Sequence, residues 1–187
     1  MPSTRPTYSK DKFREMILYI AKKSEDDFRF GAMKWNKLMF FSDREAYGRL
    51  GHSISGARYH RIQLGPAAAA LVPVRDEMLD TGELEIRPVE LGGPYEAQKR
   101  VIAHRPPDAA AFTPDERSVL DEVIKHYWDY TGTQISKESY NDLGVALAEE
   151  EEDIPYGTVY LPKADPTQSE VAYVRGRMKA RGWAAAG

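Results

Sequence analysis

The sequence predicts a mainly α-helical α+β fold: a single helical domain carrying a small antiparallel sheet or hairpin, in a winged-helix-like order. Three observations predict it. Apolar residues recur at helical spacing in several separate segments, the first being Phe13, Met16, Ile17, Ile20 and Ala21. Two strand-like runs, "ELEIRPVEL" and "QKRVIAHR", flank the turn signal "GGPYEA". Thr113-Pro114-Asp115-Glu116 places a capping threonine, a first-turn proline and a capping-box glutamate in order, which marks a helix start.

In chain order, the first helix begins at Lys10 and ends at "KKSEDD". A second helix is expected from about Ala32 to Arg49, with Trp35, Leu38, Met39, Ser42 and Ala46 along one face and Phe40 and Phe41 beside it. Its middle is apolar almost all round, which implies burial on several sides. Gly48 or Gly51 ends it, because glycine accepts the left-handed conformation of a helix C-terminus. "ARYHRIQL" reads as a strand packing Tyr59, Ile62 and Leu64. Gly65-Pro66 is expected to lead into a third helix with Pro66 at its first position. Pro73 either kinks that helix or marks its true start. Leu71, Val74, Met78 and Leu79 form its apolar face and Gly82 stops it. Pro88 makes the first strand of the hairpin an edge strand. The helix at Thr113 buries Val119, Leu120, Val123, Ile124, Tyr127 and Trp128 and closes at Gly132. A further helix is expected from Ser136 to about Glu150, with Leu143, Ala146 and Leu147 inward, followed by an extended "IPYGTVYLP". A last helix is capped at Asp165-Pro166-Thr167-Gln168. It places Val171, Val174 and Met178 on one side, and the positive charges of Arg175, Arg177, Lys179 and Arg181 at its end complement the helix dipole. Residues 1–9 are expected to be a disordered tail, 10–162 the domain, and 163–187 a C-terminal helix packing on it or extending from it.

Composition narrows the function. The 187 residues suit one domain, and 42% hydrophobic residues supply one core without a metal or disulfide staple. Zero cysteines exclude disulfides, cysteine-type zinc sites and thiol nucleophiles. A net charge of -3 weighs against nucleic acid, whose binders carry a basic excess or a basic face. No apolar run approaches the roughly 20 residues that cross a bilayer, and "MPSTRPTYSKDK" has no signal-peptide core. The expected location is the cytoplasm.

No motif demands chemistry. His52, His60, His104 and His126 form no metal-ligand spacing, so no metal site is expected. No nucleophile elbow, Walker loop or dinucleotide fingerprint is present, and no catalytic residue or cofactor is assigned. "GHSISG" could cradle an anion, but glycine and serine are ordinary turn residues and the turn reading is favoured. Asp43 and Glu45 fall on different helix faces, a poor geometry for acid–base work. The third helix, with Arg75 against Asp76, Glu77 and Asp80, would repel phosphate. The block "AEEEED" reads as a solvated helix end. With Ile154, Pro155, Tyr156, Val159 and Tyr160 behind it, it also has the make-up of an interaction patch for a basic partner.

"WNKLMFFSDREAYGRLGHSISGARYHRIQLGPAAAAL" resembles the Panacea domain of the SocA-like antitoxin family. That pattern is a K-L-x-K-L-L-[YF]-F-[AS]-D helix, a glycine–Ile–[ST]-G turn and a strand ending in Y-G-P. Lys37, Leu38, Phe41, Ser42 and Asp43 match the helix. Gly51, Ile54, Ser55 and Gly56 match the turn. Tyr59, Gly65 and Pro66 match the strand and its end, with Leu64 where the family often has tyrosine. The resemblance extends through Thr113 to "SKESYNDL". There the family often has Ser-x-x-[ST]-H and a later tryptophan, and this chain has Tyr140 and Ile154-Pro155-Tyr156.

The resemblance implies a mainly helical protein without enzymatic activity, working in a bacterial or phage toxin–antitoxin module. Its implied partner is a cognate toxin encoded nearby, neutralised by direct binding. At least one family type is a proteolytic adaptor, which adds a Clp-type protease as a second partner. The candidate toxin-binding residues are Arg58, His60 and Arg61 on the strand, or Glu149, Glu150, Glu151, Tyr156 and Tyr160 in the acid–aromatic region. The alternative function is a winged-helix-like DNA-binding transcriptional regulator.

Overall fold

The computed structural model describes residues 6–90, 97–161 and 168–180. The fold is mainly helical with two small antiparallel hairpins. Helix α1 (Lys10–Lys23) starts where the Ser9 side chain accepts from the Lys12 N–H (3.3 Å), and Lys22 and Lys23 sit in its last turn. Its apolar stripe, Phe13 to Ile20, is buried. Helix α2 (Ala32–Leu50) ends at Gly51, whose φ of +79° is the left-handed cap. Trp35, Leu38, Met39, Phe40, Ser42 and Ala46 are all buried. The reason is position: α2 runs through the centre and touches α1, the hairpins and the later helices.

The chain after "ARYHRIQL" departs from the expected course. Strand β1 (Tyr59–Ile62) turns at Gln63-Leu64 into a second strand, β2 (Gly65–Ala68), and helix α3 (Leu71–Asp80) starts only afterwards. Pro66 is therefore a strand residue and not the first residue of a helix. Two features permit this. Gly65 adopts φ +91°, which lets the chain double back. The Ala69 N–H donates to the Arg58 carbonyl (2.9 Å), so by alternation Arg61 and Pro66 form a non-hydrogen-bonded pair, where proline's missing donor costs the ladder nothing. Pro73 falls in the first turn of α3, and Leu71, Val74 and Met78 are buried beneath it.

Strands β3 (Leu84–Val89) and β4 (Gln98–Ala103) form the expected antiparallel hairpin, pairing Pro88 with Lys99 in a two-stranded sheet. All but one residue of the "GGPYEA" turn lies outside the described residues. Helix α4 (Pro114–His126) carries both bonds of the capping box, Glu116 N–H to Thr113 Oγ1 (3.2 Å) and Thr113 N–H to Glu116 Oε2 (2.9 Å).

Beyond α4 three expectations are corrected. Gly132 does not close that helix; it opens α5 (Gly132–Glu138), because Thr131 and Gln134 form another capping box. The single helix expected from Ser136 to Glu150 is three pieces: α5, a 3₁₀ turn (Ser139–Asn141) and α6 (Leu143–Leu147). Asp142 restarts the chain by accepting from the Val145 N–H (3.2 Å), so Val145 and Ala148 point inward and Ala146 is exposed. "IPYGTVYLP" is not extended; Tyr156–Tyr160 is a 3₁₀ helix whose Thr158 N–H and hydroxyl both turn back to the Pro155 carbonyl (3.2 and 2.8 Å). Helix α7 (Gln168–Ala180) buries Met178. Its expected cap at Asp165–Thr167, and Arg181, lie outside the described residues.

Residues 7–9, grouped by sequence with the terminal tail, run beside the turn after α2. The Ser9 N–H donates to the Ser55 carbonyl (3.0 Å), and a Cβ at Gly56, where φ is +70°, would run into the Thr7 carbonyl.

Candidate functional site

Helix α2 carries charged side chains into the interior, and each grips a different segment. The Lys34 ammonium donates to Asp27 Oδ2 (2.5 Å) and to the Trp128 carbonyl (2.7 Å), tying the loop before α2 to the end of α4. Lys37 donates to the Pro66 carbonyl (2.7 Å), to which Asn36 Nδ2 also donates (3.0 Å), seating β2 on the helix. Burial pushes the Lys37 amine down to about 8.

Asp43 is fully buried and accepts from the Ser55 N–H (2.7 Å), the Ser55 hydroxyl and the Tyr59 hydroxyl (2.8 Å). The "GHSISG" segment is thus a turn, and the anion whose charge it stabilises is the chain's own Asp43. Burial pushes that carboxyl up from the ordinary carboxylate range, against the hydrogen bonds that favour its charge. Glu45 faces solvent on the other side of the helix. Arg44 donates to Asp142 Oδ2 from two nitrogens (2.9 and 2.6 Å), to the Pro155 and Tyr156 carbonyls (2.9 and 2.7 Å) and to Thr158 Oγ1 (2.9 Å).

These contacts assign the motif residues. Lys37, Asp43 and Tyr59 form the buried framework that orients the turn and both strands of the first hairpin. Ile54 is core. Gly51 is the helix cap. Gly56 and Gly65 have positive φ and stand where a side chain would collide, at Gly65 with Ser139 Oγ (2.6 Å from an added Cβ). Pro66 supplies the carbonyl that Lys37 holds.

This same pattern of residues is matched by the family model described as "Antitoxin SocA-like, Panacea domain", over residues 35–143. The chain belongs to the SocA-like antitoxin family. Its general role is antitoxin-like. No curated protein and no solved structure matches this chain. Among the described residues, no helix of the Panacea-domain protein is long and apolar enough to cross a membrane. None of the described His, Asp and Glu residues form a group of three or more that could hold a metal.

The two regions singled out as toxin-binding candidates are adjacent in the Panacea fold. The "AEEEED" block is not a helix end. It is a turn that runs antiparallel beside β1: the Arg61 N–H donates to the Glu152 carbonyl (3.0 Å), the Glu151 N–H to the Arg61 carbonyl (2.7 Å), and the Ile154 N–H to the Tyr59 carbonyl (2.8 Å). β1 is consequently flanked by β2 on one edge and the acidic turn on the other. Side chains follow suit. Arg58 pairs with Asp153 (3.3 Å), and His60 Nε2 lies 3.9 Å from Glu151. Arg61 donates to the Ala148 carbonyl (2.5 Å) with its guanidinium over the Tyr140 ring (5.4 Å). Glu149 and Glu151 remain 73% exposed, with Glu150 exposed between them, so the face they form is acidic.

The aromatic candidates divide. Tyr160 is exposed, with its hydroxyl on the Tyr47 carbonyl (2.8 Å). Tyr156 is a core residue, its hydroxyl donating to the Ala57 carbonyl (2.7 Å), and its ring offers no outer surface. Sequence reading passed over Arg44, Lys34 and Asp142. The available signal was a set of charged residues on a helix otherwise apolar all round, which only burial with partners can accommodate.

Glu151 is the only non-glycine with positive φ (+65°) among the described residues. Glu151→Gly is expected to raise stability by about 0.5–1 kcal/mol, since a side chain in the left-handed region costs about 1–2 kcal/mol and glycine's extra freedom offsets part of the gain. A urea midpoint measured on both proteins checks it. A fall would show that the Glu151 side chain holds the turn.

Proposed function

We propose that this Panacea-domain protein neutralises its toxin by direct binding, through the acidic turn Glu149–Glu151 and the neighbouring part of β1. The observation that carries the reading is the ordered exposure of the turn. Its backbone is fixed on β1 while the side chains of Glu149 and Glu151 stay largely exposed, Glu149 beside Arg175 (3.7 Å) and Glu151 beside His60 (3.9 Å). A pre-ordered acidic surface loses little entropy on binding and steers a basic partner toward it. The buried charges of α2 are spent inside the fold, on Pro66, Ser55, Tyr59 and Asp142, and the turn lies beyond the residues matched to the family. The shared part builds the scaffold and the acidic turn selects the partner. Delivery of the bound toxin to a Clp-type protease is a compatible second step. A DNA-reading role for α3 is disfavoured, since Arg75 is paired with Asp76 (2.7 Å) and Glu77 with Lys10 and Arg14 (both 2.5 Å).

The test is co-expression with the adjacent gene. The wild-type protein is expected to restore growth and to co-purify with that gene's product. The triple charge reversal Glu149→Lys, Glu150→Lys, Glu151→Lys is expected to lose both while keeping its circular dichroism spectrum. Retained neutralisation by the triple variant would move the contact elsewhere, and an adjacent gene harmless by itself would end the reading.

A further inference from the structure

We propose that the tip of the β1–β2 hairpin, Gln63 to Pro66, is a spring-loaded flap that closes over the unpaired ammonium of Lys37 and lifts locally to release it to solvent. Lys37 is 1% exposed and has three donors, yet its one hydrogen bond goes to the Pro66 carbonyl, an acceptor it shares with Asn36. No described carboxylate pairs with it. The contrast is Lys34 on the same helix, which is equally buried but has Asp27 at 2.5 Å. A buried charge without a counterion works against the arrangement that buries it.

The part of the hairpin that buries Lys37 is held mostly by side chains. The body of β1 is bonded along both edges, by β2 and by the acidic turn. The tip is held through its carbonyl oxygens by side chains: Tyr140 Oη on Gln63 (3.1 Å), Ser136 Oγ on Leu64 (2.6 Å), and Lys37 with Asn36 on Pro66. Leu64, at its crest, is 48% exposed, and the tip's apolar contact with the core comes from Gly65 and Pro66 behind it, both buried. Opening then needs the loss of these side-chain bonds and of the single ladder pair Ile62–Gly65, while the rest of the fold stays closed.

Titration reads this out. The titratable groups on the elements packed around Lys37 are Tyr59, His60 and Arg61 on β1, Lys137 and Glu138 on α5, and Tyr140; none is bonded to its Nζ. Burial lowers the closed-state amine to about 8, against an ordinary value of 10.5. A lifted tip returns Lys37 to water and to that ordinary value. The open state therefore binds more protons between these limits, and the closed tip gains stability as pH rises through 8. From pH 7 to pH 9, opening falls about tenfold. A partner that seizes the lifted tip benefits from the same relief, but the opening is a property of the free protein and does not depend on toxin binding.

The experiment is hydrogen exchange by mass spectrometry on the intact protein at pH 7 and pH 9, corrected for intrinsic rates, with α4 as the internal reference. The ladder amides of the Ile62–Gly65 pair, which the tip protects, are expected to open well before α4 does, and about tenfold less at pH 9. Lys37→Met is expected to open less than wild type at pH 7 and to show no pH dependence. Tip amides that exchange only together with α4, a flat wild-type profile, or an unchanged slope in Lys37→Met would each overturn the flap. If Lys37→Met fails to fold, a pulse of acetic anhydride on wild type decides: Lys37 is expected to acetylate at the rate of tip opening, slower than exposed Lys22. Modification only on global unfolding refutes the proposal.

Discussion

Arg44→Ala is expected to destabilise the protein by about 3–5 kcal/mol, the usual cost of stranding one partner of a buried ion pair. Arg44 links α2 to four groups of the later chain: Asp142, the Pro155 and Tyr156 carbonyls, and Thr158. Alanine removes the donors to Asp142 Oδ2 and the Tyr156 carbonyl in an emptied interior, while the Pro155 carbonyl keeps the Thr158 N–H and hydroxyl. In thermal melts the loss corresponds to a fall of roughly 10 °C for a domain of this size. Hydrogen exchange should rise first in residues 142–158, which include the acidic turn. Toxin neutralisation should weaken in step, because the turn then has to be ordered during binding. Arg44→Lys is expected to fall between the two, since a point charge cannot bridge a carboxylate and two carbonyls as a planar guanidinium does. A melting shift below about 2 °C for Arg44→Ala would show that the segment is held by packing alone.

Asp43→Ala is expected to cost a comparable amount, about 3–4 kcal/mol, at a different place. It strands the Ser55 N–H, the Ser55 hydroxyl and the Tyr59 hydroxyl, all buried. The turn after α2 and the start of β1 should loosen while the 142–158 segment keeps its protection. Asp43→Asn retains one acceptor oxygen and should lose about half as much. Its pH dependence supplies an independent check. Burial raises the folded-state carboxyl above its unfolded value. That group's contribution to stability is full below the unfolded value and is lost as pH rises through the folded one. The amide of the Asp43→Asn variant cannot titrate, so the gap between it and wild type should widen as pH falls. A gap that closes in acid would mean that Asp43 is held below, not above, its ordinary range.

Much of the fold was legible before any coordinates. Helices α1 and α2 announce themselves by apolar spacing, α4 by the Thr113–Glu116 box, and the β3–β4 hairpin by two apolar runs about a turn signal. Failures cluster where elements are short. Pro66 suits a helix start on local grounds, and it became a strand residue because Arg61 stands opposite at a non-hydrogen-bonded position. Between Gly132 and Tyr160, five- and seven-residue helices alternate with 3₁₀ turns. Pieces of that length have no helical periodicity to read. The candidate surface divided in the same way. Exposure of Glu149–Glu151 follows from charge, while the inward turn of Tyr156 depends on a carbonyl at Ala57 that is remote in sequence.

Local chemistry, written in the order of residues, determined the long helices, their caps, the family pattern and the absence of cysteine chemistry, because each depends on neighbours within a few positions. Tertiary structure alone decided which charges of α2 are buried, which carbonyls they hold, and that the basic strand and the acidic turn lie side by side. Those outcomes depend on contacts between segments tens of residues apart, and the free energy of burying a charge is set by the groups that surround it in space.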